Sequence, residues 1–202
     1  MNLLTAMQSS DRANLERLEI LIVDDNNQAL DILTQVMIGF GARKLHKCSN
    51  GEEAKLILSK MPIDLVITDA SMPVIDGYSL VHWLRREGAS SNKYIPTVVV
   101  TGHTRESEVI KARDCGANFT IAKPITPGIV LQRIFWCAKE ERMFVQSPSY
   151  VGPDRRFKRM GPPDGVKGRR ADDLSASVGE AVAPNLSQDQ IDGMMKPQKA
   201  AL

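Results

Sequence analysis

Apolar residues in this chain fall into short runs that alternate with longer stretches of helical periodicity. The runs at 20–23, 65–68 and 97–100 are rich in β-branched and apolar side chains, as strands buried on both faces of a parallel sheet must be. Weaker runs at 44–48 and 119–122 bring the number of expected strands to five. The pattern therefore predicts a parallel β-sheet covered by helices.

The stretches between these runs carry apolar residues at intervals of three and four positions, which is the spacing of an amphipathic helix. Their ends have suitable residues: Asn50 can cap a helix start, and Gly116 can follow a helix end. The predicted helices cover 27–39, 51–60, 76–88, 105–115 and 127–144. Strands and helices in strict alternation predict an α/β fold of the (βα)5 type.

The same pattern predicts the domain organisation. Residues 18–145 form the expected α/β domain, and residues 1–17 precede it as an N-terminal extension. Residues 146–202 are rich in proline and glycine and poor in large apolar side chains, so burial cannot easily offset the entropy lost on ordering. We predict that this segment is a basic, mostly disordered tail.

Composition excludes several classes of function. The net charge of +2 predicts no general attraction to DNA or membranes, and the aromatic content of 5% is low for a single-strand stacking platform. Three widely spaced cysteines indicate neither a disulfide framework nor a zinc site. No apolar stretch approaches the ~18 residues that span a bilayer. We therefore expect a cytoplasmic protein with no membrane span.

Chemically active side chains follow the predicted strands at one edge of the sheet. Asp24 and Asp25 end the first strand, Asp69 ends the third, Thr101 ends the fourth and Lys123 ends the fifth. Parallel strands bring their carboxyl ends to the same edge, where the ligands of open α/β sheets bind. These five side chains should therefore converge on one pocket.

The clustered carboxylates indicate a divalent cation, because without a counter-charge they would repel one another. Mg²⁺ suits them, since it prefers oxygen ligands and commonly bridges one or two carboxylates to a phosphate. Asp25 and Asp69 are the expected direct ligands, with Asp24 nearby or acting through water. A carboxylate can also attack a phosphoryl group, and Lys123 and Thr101 could then bind phosphoryl oxygens.

Four motifs resemble those of the receiver domain of bacterial response regulators: VDD at 23–25, D-x-x-M-P-x-x-D-G at 69–77, VTG at 100–102 and KP at 123–124. The resemblance implies a CheY-like, doubly wound, five-stranded parallel sheet with the flavodoxin-like order 2-1-3-4-5. It also implies Mg²⁺-dependent phosphorylation of an aspartate in a two-component phosphorelay.

The resemblance assigns roles to the acidic residues. Asp69 corresponds to the phosphoacceptor, and Asp24 and Asp25 correspond to the metal-binding acid pair. The family also binds Mg²⁺ through the acceptor and through a main-chain carbonyl two residues beyond it, which here belongs to Ser71. The implied metal ligands are therefore Asp24, Asp25, Asp69 and the Ser71 carbonyl.

The remaining roles concern the switch. Thr101 corresponds to the hydroxyl that responds to phosphorylation, and Lys123 to the amine that contacts the phosphate, with a Lys123-Pro124 bond that is usually cis in the family. Receivers usually carry Tyr or Phe three residues before this lysine, where this chain has Thr120. Phe119 should face the opposite side of the strand. With Thr120 at the position of the usual ring, two alternatives stay open: its hydroxyl joins a polar rearrangement on the fourth helix and fifth strand, or signalling depends more on movement of the loops.

The expected function is that of a phosphoacceptor in signalling. A histidine kinase or histidine phosphotransfer protein would phosphorylate Asp69, and a conformational change would pass the signal to a downstream protein through the fourth helix, fifth strand and fifth helix. The chain is not expected to be an enzyme beyond its own phosphoryl transfer and dephosphorylation.

Two alternatives stay open at the level of sequence. Residues 152–170 contain seven basic and two acidic residues, a net charge of +5. This segment could contact nucleic acid and make the chain a DNA-associated transcriptional regulator, although it lacks the periodicity of a folded DNA reader. The other alternative, which the intact set of site residues favours least, is a scaffold that never takes a phosphate.

Overall fold

The computed structural model describes residues 15–140, 142–155 and 186–195, in which five parallel strands form a sheet of order β2-β1-β3-β4-β5. The strands are β1 (Glu19–Val23), β2 (Lys44–Cys48), β3 (Leu65–Asp69), β4 (Thr97–Thr101) and β5 (Phe119–Ala122). The predicted fold class and strand order are thus confirmed.

Each of these strands is followed by a helix. The helices are α1 (Asn27–Gly39), α2 (Gly51–Lys60), α3 (Gly77–Glu87), α4 (Glu106–Asp114) and α5 (Pro127–Ala138). Asn26, Asn50, Asp76 and Thr126 each precede a helix, and each side chain accepts a backbone N–H of the first turn. These caps satisfy donors that have no partner within the helix.

The sheet buries apolar side chains on both faces. Ile20 and Ile22 of β1 face α1 and α5, whereas Leu21 and Val23 face α2 and α3. Side chains alternate between the faces along a strand, so a continuous apolar run is needed to fill both layers. This packing explains why the central strands were recognisable in the sequence.

Arg85 of α3 is a buried cation at the opposite end of the sheet from the predicted site. Its side chain is 1% exposed, and burial lowers its pKa to about 10. The guanidinium donates to the carbonyls of Gly116 and Lys93 and to the side-chain oxygens of Thr97 and Asn118, at 2.8–3.1 Å. One side chain therefore connects α3 to the starts of β4 and β5.

The chain after α5 differs from the prediction. The predicted helix 127–144 ends at Ala138, because the charged stretch that follows has no apolar face to bury. An antiparallel hairpin of β6 (Phe144–Gln146) and β7 (Val151–Pro153) comes next. Tyr150 anchors this hairpin, since its ring is buried and its hydroxyl donates to the Pro153 carbonyl at 2.7 Å.

Two other boundaries also differ. Leu15 is 2% exposed and packs in the core, so part of the predicted extension 1–17 belongs to the domain. Within the predicted disordered tail 146–202, the structure contains β7 and a helix, α6 (Gln188–Met195). Residues 156–185 and 196–202, where the rest of that prediction falls, lie outside the described residues.

The helices of the described part of the chain are short, and none has both the length and the apolar character needed to cross a bilayer. The longest is α1, with 13 residues.

We predict that Arg85→Met destabilises the domain by roughly 3 kcal/mol or more, because a buried acceptor without a donor costs about 1–3 kcal/mol. Urea unfolding followed by circular dichroism measures this loss. Arg86→Met is the matched control, since Arg86 is exposed and donates to the Pro148 carbonyl. Equal stabilities of the two variants would contradict the role assigned to Arg85.

Candidate phosphoacceptor site

The predicted site residues meet at the carboxyl edge of the sheet. Asp24 follows β1, Asp69 ends β3, Thr101 ends β4 and Lys123 follows β5. The backbone N–H of Lys123 donates to the Thr101 carbonyl at 2.8 Å, which extends the pairing of β4 and β5 into the site. Parallel neighbouring strands therefore bring together four residues that are far apart in sequence.

Lys123 links two of the carboxylates. Its Nζ lies 2.5 Å from Asp69 Oδ1 and 3.3 Å from Asp24 Oδ2, and these acidic side chains are only 6% and 7% exposed. Burial lowers the pKa of the Lys123 ammonium, but the hydrogen bond and charge of Asp69, together with those of Asp24, outweigh burial and raise it. The lysine is therefore charged at neutral pH and neutralises part of the acidic site.

The other oxygen of Asp69 is held by the loop that follows β3. Asp69 Oδ2 accepts the backbone N–H of Ser71 at 2.6 Å. Gly77, at the start of α3, donates its N–H to the Ala70 carbonyl at 3.1 Å. A Cβ atom on Gly77 would lie 2.0 Å from the Asp69 carbonyl oxygen. Glycine is therefore required for α3 to approach the acidic strand end this closely.

The two acids after β1 have different surroundings. Asp24 is buried and its Oδ1 accepts the N–H of Asn26 at 2.9 Å, whereas Asp25 is exposed. The structure therefore brings Asp24 to Asp69 but leaves Asp25 beside them in solvent. The Ser71 carbonyl, the fourth predicted ligand, belongs to the same residue whose N–H holds Asp69.

The donor chemistry of this site fits Mg²⁺. In the described part of the chain, no three acidic, histidine or cysteine side chains form a ready-made metal cluster. Mg²⁺ does not need such a cluster, because it usually takes one or two carboxylates and keeps several waters. Asp24 and Asp69 supply hard oxygens, and together they carry more negative charge than the Lys123 ammonium neutralises.

Thr101 is buried, and its hydroxyl is engaged within its own loop. Oγ1 donates to the His103 carbonyl and accepts the His103 N–H, both at 3.0 Å. The His103 side chain itself is exposed. Recruitment of this hydroxyl to a phosphoryl oxygen would therefore break a contact inside the loop between β4 and α4.

Thr120 and Phe119 face opposite sides of β5, as their adjacent positions predict. The Phe119 ring lies in the core, with its centroid 5.6 Å from that of Trp136. Thr120 is 1% exposed, and its Oγ1 lies 4.0 Å from Met195 Sδ of α6. Met195, from the C-terminal helix, thus contacts Thr120, the position at which receivers usually carry Tyr or Phe.

Sequence reasoning did not select Tyr78, in the first turn of α3. Its hydroxyl is buried close to the side chains of Thr101 and Glu108, and burial raises its pKa. Together with Ser71, Thr101 and His103, it lines an open groove of about 830 Å³ beside the site. No sequence signal distinguished it, because one aromatic residue in an amphipathic helix is ordinarily a core residue.

Comparisons with known proteins agree with this geometry. The family described as "Response regulator receiver domain" matches residues 20–135. Chemotaxis protein CheY-3 of Vibrio cholerae is 27% identical over 59% of this chain and 90% of that protein. Response regulator SaeR of Staphylococcus aureus is 32% identical over 57% of this chain and 48% of that protein. The chain spans about half the length of several curated relatives that it matches.

A solved structure of a receiver domain is also similar to this chain. The receiver domain of the sensor histidine kinase PA1611 from Pseudomonas aeruginosa PAO1, solved with a magnesium ion coordinated in the active site cleft, is 25% identical in sequence. The alignment covers 59% of this chain and 94% of that chain, with a TM-score of 0.53.

We predict that Gly77→Ala disrupts the site, because the added Cβ would overlap the Asp69 carbonyl and move either α3 or the end of β3. Overpacking of this kind costs about 1–3 kcal/mol. Urea unfolding measures the loss, and the backbone amide shifts of Asp69 and Ser71 report whether the acceptor loop has moved.

Gly39→Ala is the control for this substitution. Gly39 lies in the last turn of α1, and no heavy atom lies within 4 Å of an added Cβ. Alanine there should be neutral or stabilise the helix by up to about 1 kcal/mol. Unchanged Asp69 and Ser71 shifts in Gly77→Ala would rule out the proposed close contact.

Proposed function

Because the chain belongs to the response regulator receiver domain family, we propose that it accepts a phosphoryl group on Asp69 in a Mg²⁺-dependent phosphorelay. The observation that carries this proposal is the pair of contacts from Lys123 Nζ to Asp69 and Asp24. A buried carboxylate beside a fixed ammonium has a nucleophilic oxygen together with a positive charge for the phosphoryl oxygens.

The transfer step uses residues that are already in contact. An oxygen of Asp69 attacks the phosphorus of a phosphohistidine, the new O–P bond forms, and the P–N bond breaks with its electron pair on the nitrogen of the leaving imidazole, which takes a proton from water. Lys123 neutralises a phosphoryl oxygen, and the Thr101 hydroxyl donates to another after leaving His103. The chain catalyses only this transfer and the later hydrolysis of its own acyl phosphate.

The residues that would hold Mg²⁺ are Asp24, Asp25, Asp69 and the main-chain carbonyl of Ser71. When bound, the ion neutralises charge on the incoming phosphoryl group. The oxygen-rich donor set supports this assignment, as does the similarity to a receiver domain with magnesium in its active site cleft.

The partners follow from the chemistry. A histidine kinase or histidine phosphotransfer protein supplies the phosphoryl group, and the groove lined by Ser71 and Thr101 lies beside the site. A downstream protein receives the signal. DNA binding by the basic segment 152–170 stays the alternative proposal. Arg155 is its one basic residue within the described part of the chain, and it pairs with Asp114 and stacks on Tyr150.

Incubation with acetyl phosphate and Mg²⁺ should add the mass of one phosphoryl group to the protein, and peptide mapping should locate it on Asp69. We expect no labelling in EDTA and none in Asp69→Asn. Asp64→Asn is the matched control, because Asp64 precedes the same strand at its opposite end and is exposed. Labelling that persists in Asp69→Asn or without Mg²⁺ would refute the proposal.

Lys123→Met should slow phosphorylation by acetyl phosphate by about 10²–10³-fold, the usual effect of removing one preorganised electrostatic group. The rate of appearance of phosphoprotein by mass spectrometry measures it. Lys60→Met, at the exposed end of α2, should leave the rate unchanged. Equal rates for the two variants would remove Lys123 from the mechanism.

A further inference from the structure

The C-terminal helix α6 packs on the surface formed by α4, β5 and α5. Its contact residues are Gln188, Ile191, Asp192 and Met195, whose spacing places them on one face of a helix. Ile191 is 0% and Met195 5% exposed, and both pack against Val109 of α4. The segment thus covers the surface from which the signal was expected to leave.

Gln188 binds the main chain of β5. This strand lies at the edge of the sheet, so its outer backbone groups have no neighbouring strand. Gln188 Oε1 accepts the N–H of Ala122 at 2.7 Å, and Nε2 donates to the Thr120 carbonyl at 3.1 Å. One side-chain amide therefore makes the two hydrogen bonds that a neighbouring strand would make.

Asp192 makes an ion pair with Arg133 of α5, which is 1% exposed. Burial lowers the pKa of Arg133, and the charge of Asp192 opposes that effect. Gln188 Nε2 also donates to Asp192 Oδ1, at 2.9 Å. The neighbouring Asp189 is exposed. A buried pair of this kind favours one arrangement strongly, because leaving either partner unpaired is costly.

The segment 186–195, which contains α6, is hydrogen-bonded to the backbone close to Thr101 and close to Lys123. The N–H of Leu186 donates to the Thr104 carbonyl at 2.8 Å, three residues after Thr101. On the other side, Ala122, whose N–H is held by Gln188, directly precedes Lys123. Leu186 and Gln188 thus contact the backbone within three residues of Thr101 and Lys123, the two residues that would bind phosphoryl oxygens.

We propose that α6 is an internal occupant of the α4-β5-α5 surface and that phosphorylation of Asp69 releases it. The inference rests on the proposed function. In the docked arrangement the Thr101 hydroxyl is bound to His103, so drawing it to a phosphoryl oxygen changes the loop whose Thr104 carbonyl holds the segment. Docking of α6 and phosphorylation therefore oppose each other.

The sequence of α6 suits a reversible contact. The helix has eight residues, which is too short to persist alone in water. Gly193 lies on its exposed side, where an added Cβ would meet nothing within 4 Å, and it weakens the helix further. The helix consequently depends on the docking contacts, and its hydrogen exchange reports whether it is docked.

Hydrogen–deuterium exchange of the full chain tests the proposal, with and without acetyl phosphate and Mg²⁺. Amides of 186–195 should be protected before phosphorylation and exchange roughly 5- to 150-fold faster in the phosphoprotein, the usual range of coupling between sites. Amides of β2 serve as an internal control. Phosphorylated protein with unchanged or stronger protection of 186–195 would overturn the inference.

The same samples separate the two proposals, because intact mass measures the extent of phosphorylation. Absence of phosphoprotein refutes the proposed function, whereas phosphoprotein with α6 still protected refutes only the release of α6.

Variants of α6 test the coupling from the other side, since coupling between equilibria is reciprocal. The measured quantity is the apparent affinity for the phosphoryl analogue beryllofluoride with Mg²⁺. Ile191→Asp and Asp192→Asn should undock α6 and raise this affinity. Gly193→Ala should strengthen the helix and lower the affinity by about fivefold. Asp64→Asn, the same change of side chain at an exposed position before β3, is the matched control and should have no effect.

These substitutions lie outside the sheet and its five covering helices, and thermal unfolding checks that the domain is intact. Gly193→Ala keeps the test decisive if the undocking variants lose stability. An unchanged affinity in Ile191→Asp and Asp192→Asn, or a raised affinity in Gly193→Ala, would contradict the proposal.

Discussion

The buried carboxylates of Asp24 and Asp69 both contact the Lys123 ammonium at the carboxyl edge of the sheet, and the rest of the site depends on these contacts. Asp24 and Asp69 lie at the ends of separate strands, so they are close only in the folded sheet. Lys123, after a third strand, reduces the repulsion between their charges. The charge is balanced only in part. The residual negative charge makes the site receptive to a hard cation, and the fixed lysine makes it receptive to a phosphoryl group.

The contacts around this site extend in two directions. Toward α3, the Ser71 amide holds Asp69, and Gly77 allows the helix to approach the strand end. Toward β5, the Lys123 amide is bound to the Thr101 carbonyl, and the preceding residue is held by Gln188 of α6. The chemistry and the covered surface are therefore connected through one short stretch of backbone. A long chain of packed side chains between them is not required.

The sequence predicted the sheet and the polar residues that meet at its edge, because buried parallel strands leave continuous apolar runs and place polar residues at their ends. The strand order followed from the resemblance to receiver domains. It did not predict Arg85, since a buried arginine without a carboxylate partner looks like any surface arginine in a helix. It also missed α6. Gln188, Ile191, Asp192 and Met195 have helical spacing, but eight residues that follow a long segment rich in proline and glycine give too weak a periodic signal. Only the tertiary contacts order such a segment.

The position of β5 at the edge of the sheet has a consequence for how the protein behaves in concentrated solution. An uncovered edge strand exposes backbone donors and acceptors that can pair with a strand of another molecule. Gln188 occupies these groups in each molecule. The docked C-terminal helix therefore also blocks strand pairing at this edge of the sheet, and undocking would expose these backbone groups.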